Sequence, residues 1–504
     1  MTVLQGYNSL KWCLGYPAEK YVQGPHHGHK EMGRKYVVKG GKGKPKWFYA
    51  GLLPRVLSHL RKEGHSVTLE GELERLPPLK SPSISGKILR ADQLDLLGRI
   101  FNVQRGLLVA PMGSGKTVLA MGVLSAYPGA EVLYLCPTVA LVTQTVDEFC
   151  QNGFSSVIGW TGGGRSEKGK IVVSTVQSYI QMYKDPLKIL EKPLKYFRKS
   201  LIFLFSIGNV SIELILWVLI TSIMMMDRAK EESEILEKRL DDFNASWDIV
   251  IVDEIHKMAG AEGQLSKVLR RVAAPVRVGF TATLPKEPEK RLNLEGLIGP
   301  VLGELGRKEA IELGIIAEPR VKLIPLPALR EVANLDSYAA QYRHGIVQND
   351  VRNRAAARQA KWIADGYGPA LVFAFELDHV RRIASALEEE GIKWNTEGGY
   401  VIVDGSTPKG IREMYRKGIE EGRFRVGVSS LVWREGVNIP SLGGVVLAAG
   451  WKDSVSMLQW AGRALRRTDG KTFAWIVDFL DPYRYLAEHS VQRISLFIRE
   501  GWLK

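Results

Sequence analysis

In the run GLLVAPMGSGKT, residues 106–117, an apolar stretch leads into a glycine-rich loop that ends Gly-Lys-Thr. Glycines at 113 and 115 let backbone amides turn inward around phosphate oxygens, with Ser114 between them. Lys116 can then reach the terminal phosphates, and the Thr117 hydroxyl can ligate Mg2+. The general pattern has one more glycine where this chain has Ala110, a change that is tolerated if the preceding turn needs no positive φ. A second run, IVIVDEIHK at 249–257, delivers two adjacent carboxylates at the end of another apolar stretch. Asp253 would hold the magnesium, usually through water, and Glu254 would polarise an attacking water. Alone, an Asp-Glu pair reads as a solvated loop. Downstream of a phosphate loop it reads as the hydrolytic half of an ATP site.

These groups need rigid elements behind them. From Ile88 to about Pro319, the β-branched runs GLLVA, EVLYLCP, KIVVST, WDIVIVDE and VRVGFTAT alternate with helical patterns, and continuous apolar strands of this kind belong to a parallel sheet covered on both faces. The grammar restarts in GPALVFAF, YVIVDG, RVGVSS, GGVVLAAG and FAWIVDFL, which predicts a second α/β domain. Ahead of both, the stretch Gly24–Lys46 reads as a loop or basic arm, KWFYAG as a short strand, LLPRVLSHLRKEG as a helix and HSVTLEGEL as a strand. Pro77, Pro78 and Pro82 then mark a linker.

Bulk properties agree with a globular chain of this size. Its 504 residues exceed one ordinary core, and 45% hydrophobic with 24% charged residues excludes wholesale disorder. The net charge of +15 attracts polyanions, either nucleic acid or an anionic membrane surface. Three cysteines, Cys13, Cys136 and Cys150, lack metal-ligand spacing, and the N-terminus lacks the pattern of a secretory signal. A reducing, cytoplasmic compartment is expected, the host cytosol if the chain is viral.

DEIH resembles the DEAH-type box of superfamily 2 helicases, whose other motifs occur in order. The resemblance implies an α/β architecture of two tandem RecA-like P-loop domains: an N-terminal accessory nucleic-acid-binding α+β domain over 1–85, the ATP-binding domain over 86–318 and a C-terminal helicase domain over 319–504. It assigns adenine recognition to Gln93 in LRADQLDLL. Pro137, Thr138 and Gln144 of PTVALVTQ, and Thr175 and Gln177 of STVQS, would grip the nucleic-acid backbone. Thr281 and Thr283 of the TAT box, His256, and Gly436 of SSLVWREGVNIP would couple hydrolysis to movement, while Ser429 and Ser430 would touch the backbone in place of the commoner Ala-Thr. In QWAGRALRR, Gln459 joins Arg463 and Arg466, candidate arginine fingers that stabilise the charge of the transferring phosphoryl group. Trp460 departs from the basic residue common in relatives.

The segments FYAGLLPRVLSHLRKEGHSV, IVQNDVRNR and WREGVNIP point within the superfamily to phage UvsW-like DNA helicases and XPB-type translocases. That likeness implies an ATP-driven, Mg2+-dependent motor on duplex, forked or branched DNA, serving recombination, repair or fork rescue. Competing readings are a duplex translocase within a restriction or remodelling complex, an RNA helicase, and an ATP-switched binding protein without motor action.

About 70 residues separate STVQS from the DEIH strand, far more than such a connection needs, so an insert is expected over about 180–246. Its run Leu201–Met226 carries one charge, Glu213, and is long enough to span a bilayer. A single crossing would put two strands of one sheet on opposite sides of the membrane, so no integral span is expected. The open readings are a helical outgrowth packed on the motor or a protein partner, attachment to a membrane surface, and a poorly folding insertion. DRAKEESEILEKRLDDF reads as a charged amphipathic helix.

Overall fold

The computed structural model describes the chain apart from residues 4–12, 23–28, 37–45, 70–74, 182–219, most of 232–243, 259–262, 435–438, 451–461 and a few single positions. Two compact units result, residues 1–109 with 117–303, and 110–116 with 304–504.

The first unit opens with short strands β1 (Thr2–Val3), β2 (Gly15–Val22), β3 (His29–Tyr36) and β4 (Lys46–Trp47). β2 and β3 pair antiparallel over their whole length, so residues 29–36 of the stretch expected as a loop or basic arm form one strand of a hairpin. Lysine-rich composition does not prevent pairing, because the ladder is made by backbone groups and charged side chains suit an isolated two-stranded ribbon. The helix Leu53–Lys62 forms where its apolar spacing predicts it. The strand expected after it is absent at residues 65–69. The chain there closes the helix instead, the His65 amide donating to the Leu60 carbonyl (2.9 Å), and Leu69 is half exposed; the rest of that expected strand lies outside the described residues. This region docks through Leu14, Phe48, Leu52, Leu53 and Val56 onto Leu292, and through Arg55 onto Glu295 (2.6 Å).

The main sheet of this unit contains β5 (Arg105–Val109), β6 (Val132–Cys136), β7 (Ile158–Gly162), β8 (Arg165–Glu167), β9 (Ile171–Thr175), β10 (Ile249–Val252), β11 (Val276–Thr281) and β12 (Val301–Glu304). Their order is β12-β5-β11-β10-β6-β9-β7-β8, and the run from β5 to β7 is parallel throughout. Alternate residues feed two cores. Ile249 and Ile251 join Val132, Tyr134 and Cys136 on one face, while Val250 and Val252 join Leu133 and Leu135 on the other. Each such fully buried aliphatic side chain contributes about 1.5–3 kcal/mol.

The insertion leaves after the helix Val176–Gln181 and returns at Asn244. Tyr179 donates to Asn244 Oδ1 (2.9 Å) and accepts from Trp247 Nε1 (3.0 Å), so both ends of the inserted segment are stapled at one place. A long excursion costs little more than a short one when its ends meet in this way. The described residues between 220 and 238 are helical, with Ile220, Ile223, Met224 and Met225 more than half exposed. The rest of the 201–226 run lies outside the described residues. Among the described residues, no helix is long and apolar enough to cross a membrane.

The second unit holds β13 (Glu318–Pro325), β14 (Ala370–Phe373), β15 (Gly399–Val403), β16 (Phe424–Ser429), β17 (Gly444–Val446) and β18 (Phe473–Leu480), all parallel, in the order β13-β18-β17-β14-β16-β15. Leu371, Phe373, Val401 and Ile476 face one core, Ala370, Val372, Val426 and Val477 the other. Beside the latter, Arg352 and Arg493 are buried with Asp478 and Asp481.

Candidate nucleotide and nucleic-acid site

The groups expected to do chemistry leave the C-terminal ends of neighbouring strands. Val109, last residue of β5, stands in register beside Thr281, last residue of β11, and Gly279 beside Val252, last residue of β10. The phosphate loop therefore starts next to the TAT box, with the two carboxylates one strand further on. Crevices at such strand ends are where parallel α/β sheets bind ligands.

In the loop, Gly113 and Gly115 adopt φ of +83° and +94°, values that side-chain-bearing residues rarely take and that turn successive amides to one side. Ala110 needs no such conformation. Its carbonyl instead accepts a hydrogen bond from Lys116 Nζ (3.1 Å), which holds the ammonium over the loop. Ser114 and Lys116 are buried, and Thr117 is half-buried one residue into the helix Lys116–Ala126.

Glu254 is the most constrained of the set. It is buried and has φ +46°, a strained conformation for a residue with a side chain, and such outliers collect at functional sites. Its amide donates to Asp253 Oδ1 (2.8 Å). The carboxylate lies 3.4 Å from His256 Nδ1, and the same nitrogen lies 2.9 Å from Thr281 Oγ1. Thr281 donates its single hydroxyl proton to the Thr283 carbonyl (2.6 Å), so the 2.9 Å contact requires the proton on His256 Nδ1. Glu254, His256 and the TAT box are thus one connected set, which sequence alone lists as separate motifs.

Gln93 is buried on the helix Ala91–Val103. Its Oε1 accepts from the Arg90 amide (3.1 Å), which fixes the side-chain flip, and its Nε2 is buried with no partner. A buried amide N–H₂ left open in this way fits a donor waiting for a nucleobase acceptor.

The residues expected on nucleic acid divide. Thr138 caps the helix Val139–Phe149 by accepting from Leu141 N (3.4 Å), Pro137 and Gln144 are half-buried, and Gln177 is exposed. Thr175 is buried and caps its own helix through Ser178 N (2.9 Å). Ser429 is fully buried, and its hydroxyl donates to the Ser430 carbonyl (2.9 Å). Ser174 at the end of β9 does the same with Thr175 O (3.0 Å). A serine closing a buried parallel strand satisfies itself on the chain, which its residue type does not disclose. Ser430 is also buried, its amide donating to the Val403 carbonyl (3.0 Å).

Gly436, Gln459 and Arg463 lie outside the described residues. Arg466 is described and half-buried. Within the second unit, which includes loop residues 110–116, a Cβ at Gly113 would stand 3.4 Å from Arg466 Cγ.

The chain matches two protein families, "Type III restriction enzyme, res subunit" over residues 87–286 and "Helicase conserved C-terminal domain" over residues 363–468. Both matches fall where the sequence resembles a helicase, and the relatives that the chain is similar to carry DNA helicase and translocase names. The chain is 26% identical to a Rad25-named relative from Halobacterium salinarum over 83% of its own length, and spans 59% of that protein. It is 23% identical to "DNA 3'-5' translocase XPB2" of Sulfurisphaera tokodaii, over 80% of this chain and 84% of that one. With "ATP-dependent DNA helicase uvsW" of Enterobacteria phage T4 it shares 21% identity over 79% of this chain and 72% of that one. The DNA-bound Type ISP restriction-modification enzyme LlaBIII has the same fold, at a TM-score of 0.52 and 16% identity, covering 82% of this chain and 30% of that one. Helicase domains of this kind imply ATP binding, and the open Nε2 of Gln93 and the positive-φ glycines fit that nucleotide.

Proposed function

We propose that the chain is an ATP-dependent DNA helicase or translocase that works on duplex, forked or branched DNA. The observation that carries the reading is the linked set Glu254–His256–Thr281, formed at strand ends beside the start of a phosphate loop. An ATP hydrolase that merely turned over nucleotide would not need its water-polarising carboxylate tied to a distant box. The printed names of the Rad25, XPB2 and uvsW relatives support DNA as the polymer, and the net charge of +15 supports a polyanion.

In this reading Gly113, Ser114, Gly115 and Lys116 hold the phosphates, Gln93 holds the adenine, and Thr117 and Asp253 hold Mg2+, which supplies positive charge to the phosphoryl oxygens when bound. Glu254 orients the attacking water and accepts its proton. Arg463 and Arg466, with Gln459, stabilise the charge that develops on the transferring group. A change at Glu254 shifts His256, whose Nδ1–H is shared with Thr281, and the TAT box moves with it. Pro137, Thr138, Gln144, Thr175, Gln177, Ser429 and Ser430 line the route of the polymer, and Gly436 belongs to the coupling machinery. Residues 1–85 act as an accessory DNA-binding domain ahead of motor domains at 86–318 and 319–504.

The test is ATP hydrolysis measured alone and with single strands, blunt duplex, forks, four-way junctions and RNA duplex. Stimulation by DNA, strongest on forks or junctions, is expected. Hydrolysis indifferent to every nucleic acid overturns the motor reading, and stimulation by RNA alone replaces its substrate.

A further inference from the structure

We propose that Gly314–Ala317, a segment outside every helicase motif named above, is the positioning element for Arg466. The inference rests on the proposed ATPase reading and goes beyond it by assigning residues that make the arginine's aim reproducible.

The segment follows the helix Arg307–Glu312, whose last turn it closes: Gly314 N donates to Ile311 O (2.8 Å) and Ile315 N to Ala310 O (2.8 Å). It then pairs antiparallel with the arginine-bearing stretch, Ile316 opposite Arg466, and the Ala317 amide donates to the Leu465 carbonyl (2.8 Å). One residue later Glu318 N donates to Thr472 O (2.8 Å) as β13 begins its pairing with β18. The turn carrying Arg466 is therefore gripped on both sides by consecutive residues of one strand. A guanidinium sits on a long flexible stem, and fixing the backbone at its root removes the largest source of misplacement.

Two side-chain relations complete the seat. Gly314 has φ +66°, and a Cβ there would fall 1.8 Å from Arg467 Nη1 and 2.9 Å from its Cζ. The guanidinium of Arg467 thus lies across Gly314, which directs the neighbouring Arg466 to the other side of the strand. On that side, the nearest atoms to a Cβ at Gly113 are Arg466 Cγ (3.4 Å) and Ile316 Cγ2 (3.5 Å), all within the second unit. The frame is anchored in turn by Arg307, which pairs with Glu500 and lies over the Trp502 ring (5.0 Å). Two of its contacts lie across a long sequence separation, and the glycine is required by a side chain that sequence inspection places elsewhere.

The experiment measures kcat and KM for DNA-stimulated ATP hydrolysis, affinity for a non-hydrolysable ATP analogue, and melting temperature for Gly314→Ala, Arg467→Ala, the double variant and Ile316→Ala. Displacing a transition-state group by about 1 Å costs on the order of 100-fold, so Gly314→Ala is expected to lower kcat by roughly 10- to 100-fold with KM and analogue affinity within about twofold. Removing the Arg467 guanidinium in the same protein relieves the collision and should recover part of the lost kcat. Ile316→Ala, which keeps every backbone bond, should lower kcat by several-fold, and it decides the matter if Gly314→Ala does not fold. Unchanged kcat in folded Gly314→Ala or Ile316→Ala overturns the proposal. So does a loss in which KM, analogue affinity and melting temperature fall together with kcat. A wild-type protein without nucleic-acid-stimulated hydrolysis would instead overturn the reading on which the inference rests.

Discussion

Both parallel sheets end an interior strand in acidic residues, and the two pairs of carboxylates sit in opposite surroundings. At the end of β10, Asp253 accepts the Glu254 amide, and Glu254 faces a titratable imidazole that leads to the TAT box. At the end of β18, Asp478 is held by Arg493 Nε (2.8 Å) and Asp481 by Arg352, with all four side chains buried. Arg352 also donates to the Ala448 carbonyl (3.0 Å), so it ties three parts of the second unit together. The first unit buries an arginine too, but Arg277 is satisfied by backbone: its guanidinium donates to the carbonyls of Ala274, Leu269, Leu297 and Val272. In the proposed reading one unit keeps its strand-end acids for chemistry and solves buried charge with carbonyls. The other consumes its acids in holding the sheet to the elements around it.

The largest expected effect breaks this contrast on the chemical side. Lys116→Ala or Glu254→Gln should reduce ATP hydrolysis by about 10³-fold or more while leaving the melting temperature within a few degrees, because neither side chain carries the core. Turnover of the purified variants against a scanning-calorimetry trace checks it. A variant that melts early would place Glu254 among the structural acids, and the distinction between the sheets would fail.

On the structural side the order reverses. Asp481→Asn leaves Arg352 buried and without its bonded counter-charge, which costs about 3–5 kcal/mol, whereas Arg277→Met leaves carbonyls at about 1–3 kcal/mol each but also removes the several kcal/mol spent on burying the guanidinium, so its two effects largely offset. Denaturant titration of the two variants should show the larger midpoint shift for Asp481→Asn, with kcat per folded molecule close to wild type in both. Equal shifts would mean that the ion network of the second unit stabilises no more than a set of carbonyl bonds.

This asymmetry also explains what the sequence disclosed. The strands were legible because continuous runs such as IVIV and VRVGF are buried on both faces and tolerate almost nothing else. The phosphate loop and the carboxylates stand out in the sequence because the chemistry proposed for them needs adjacent residues in a fixed order. The pairing of Arg352 with Asp481 was not, since the partners are 129 positions apart and either residue alone reads as surface. For the same reason the seat of Arg467 on Gly314 was invisible, as were the burial of Ser429 and its bond to Ser430, which are set by the strand it closes. The hairpin of β2 and β3 was not legible because two strands that, among the described residues, pair only with each other need no continuous apolar run to mark them.

The smallest effect tests whether the first unit's readiness for a ligand extends beyond the carboxylates. Gln93 Oε1 is committed to the Arg90 amide, so the side chain cannot flip, and Nε2 is the atom left to face a base. An open buried donor costs the empty protein about 1–3 kcal/mol, and part of that returns when an acceptor arrives. Gln93→Glu keeps size and the bond to Arg90 but replaces the donor by an oxygen. Apparent affinity for ATP should fall about five- to tenfold, with kcat at saturation little changed and the preference for ATP over GTP reduced. Gln93→Ala should lose the preference as well, and it also releases the Arg90 amide at the start of the helix, so its melting temperature should fall further than that of Gln93→Glu. If Gln93→Glu discriminates between purines as the wild type does, the open Nε2 is a structural vacancy of the first unit rather than part of its site.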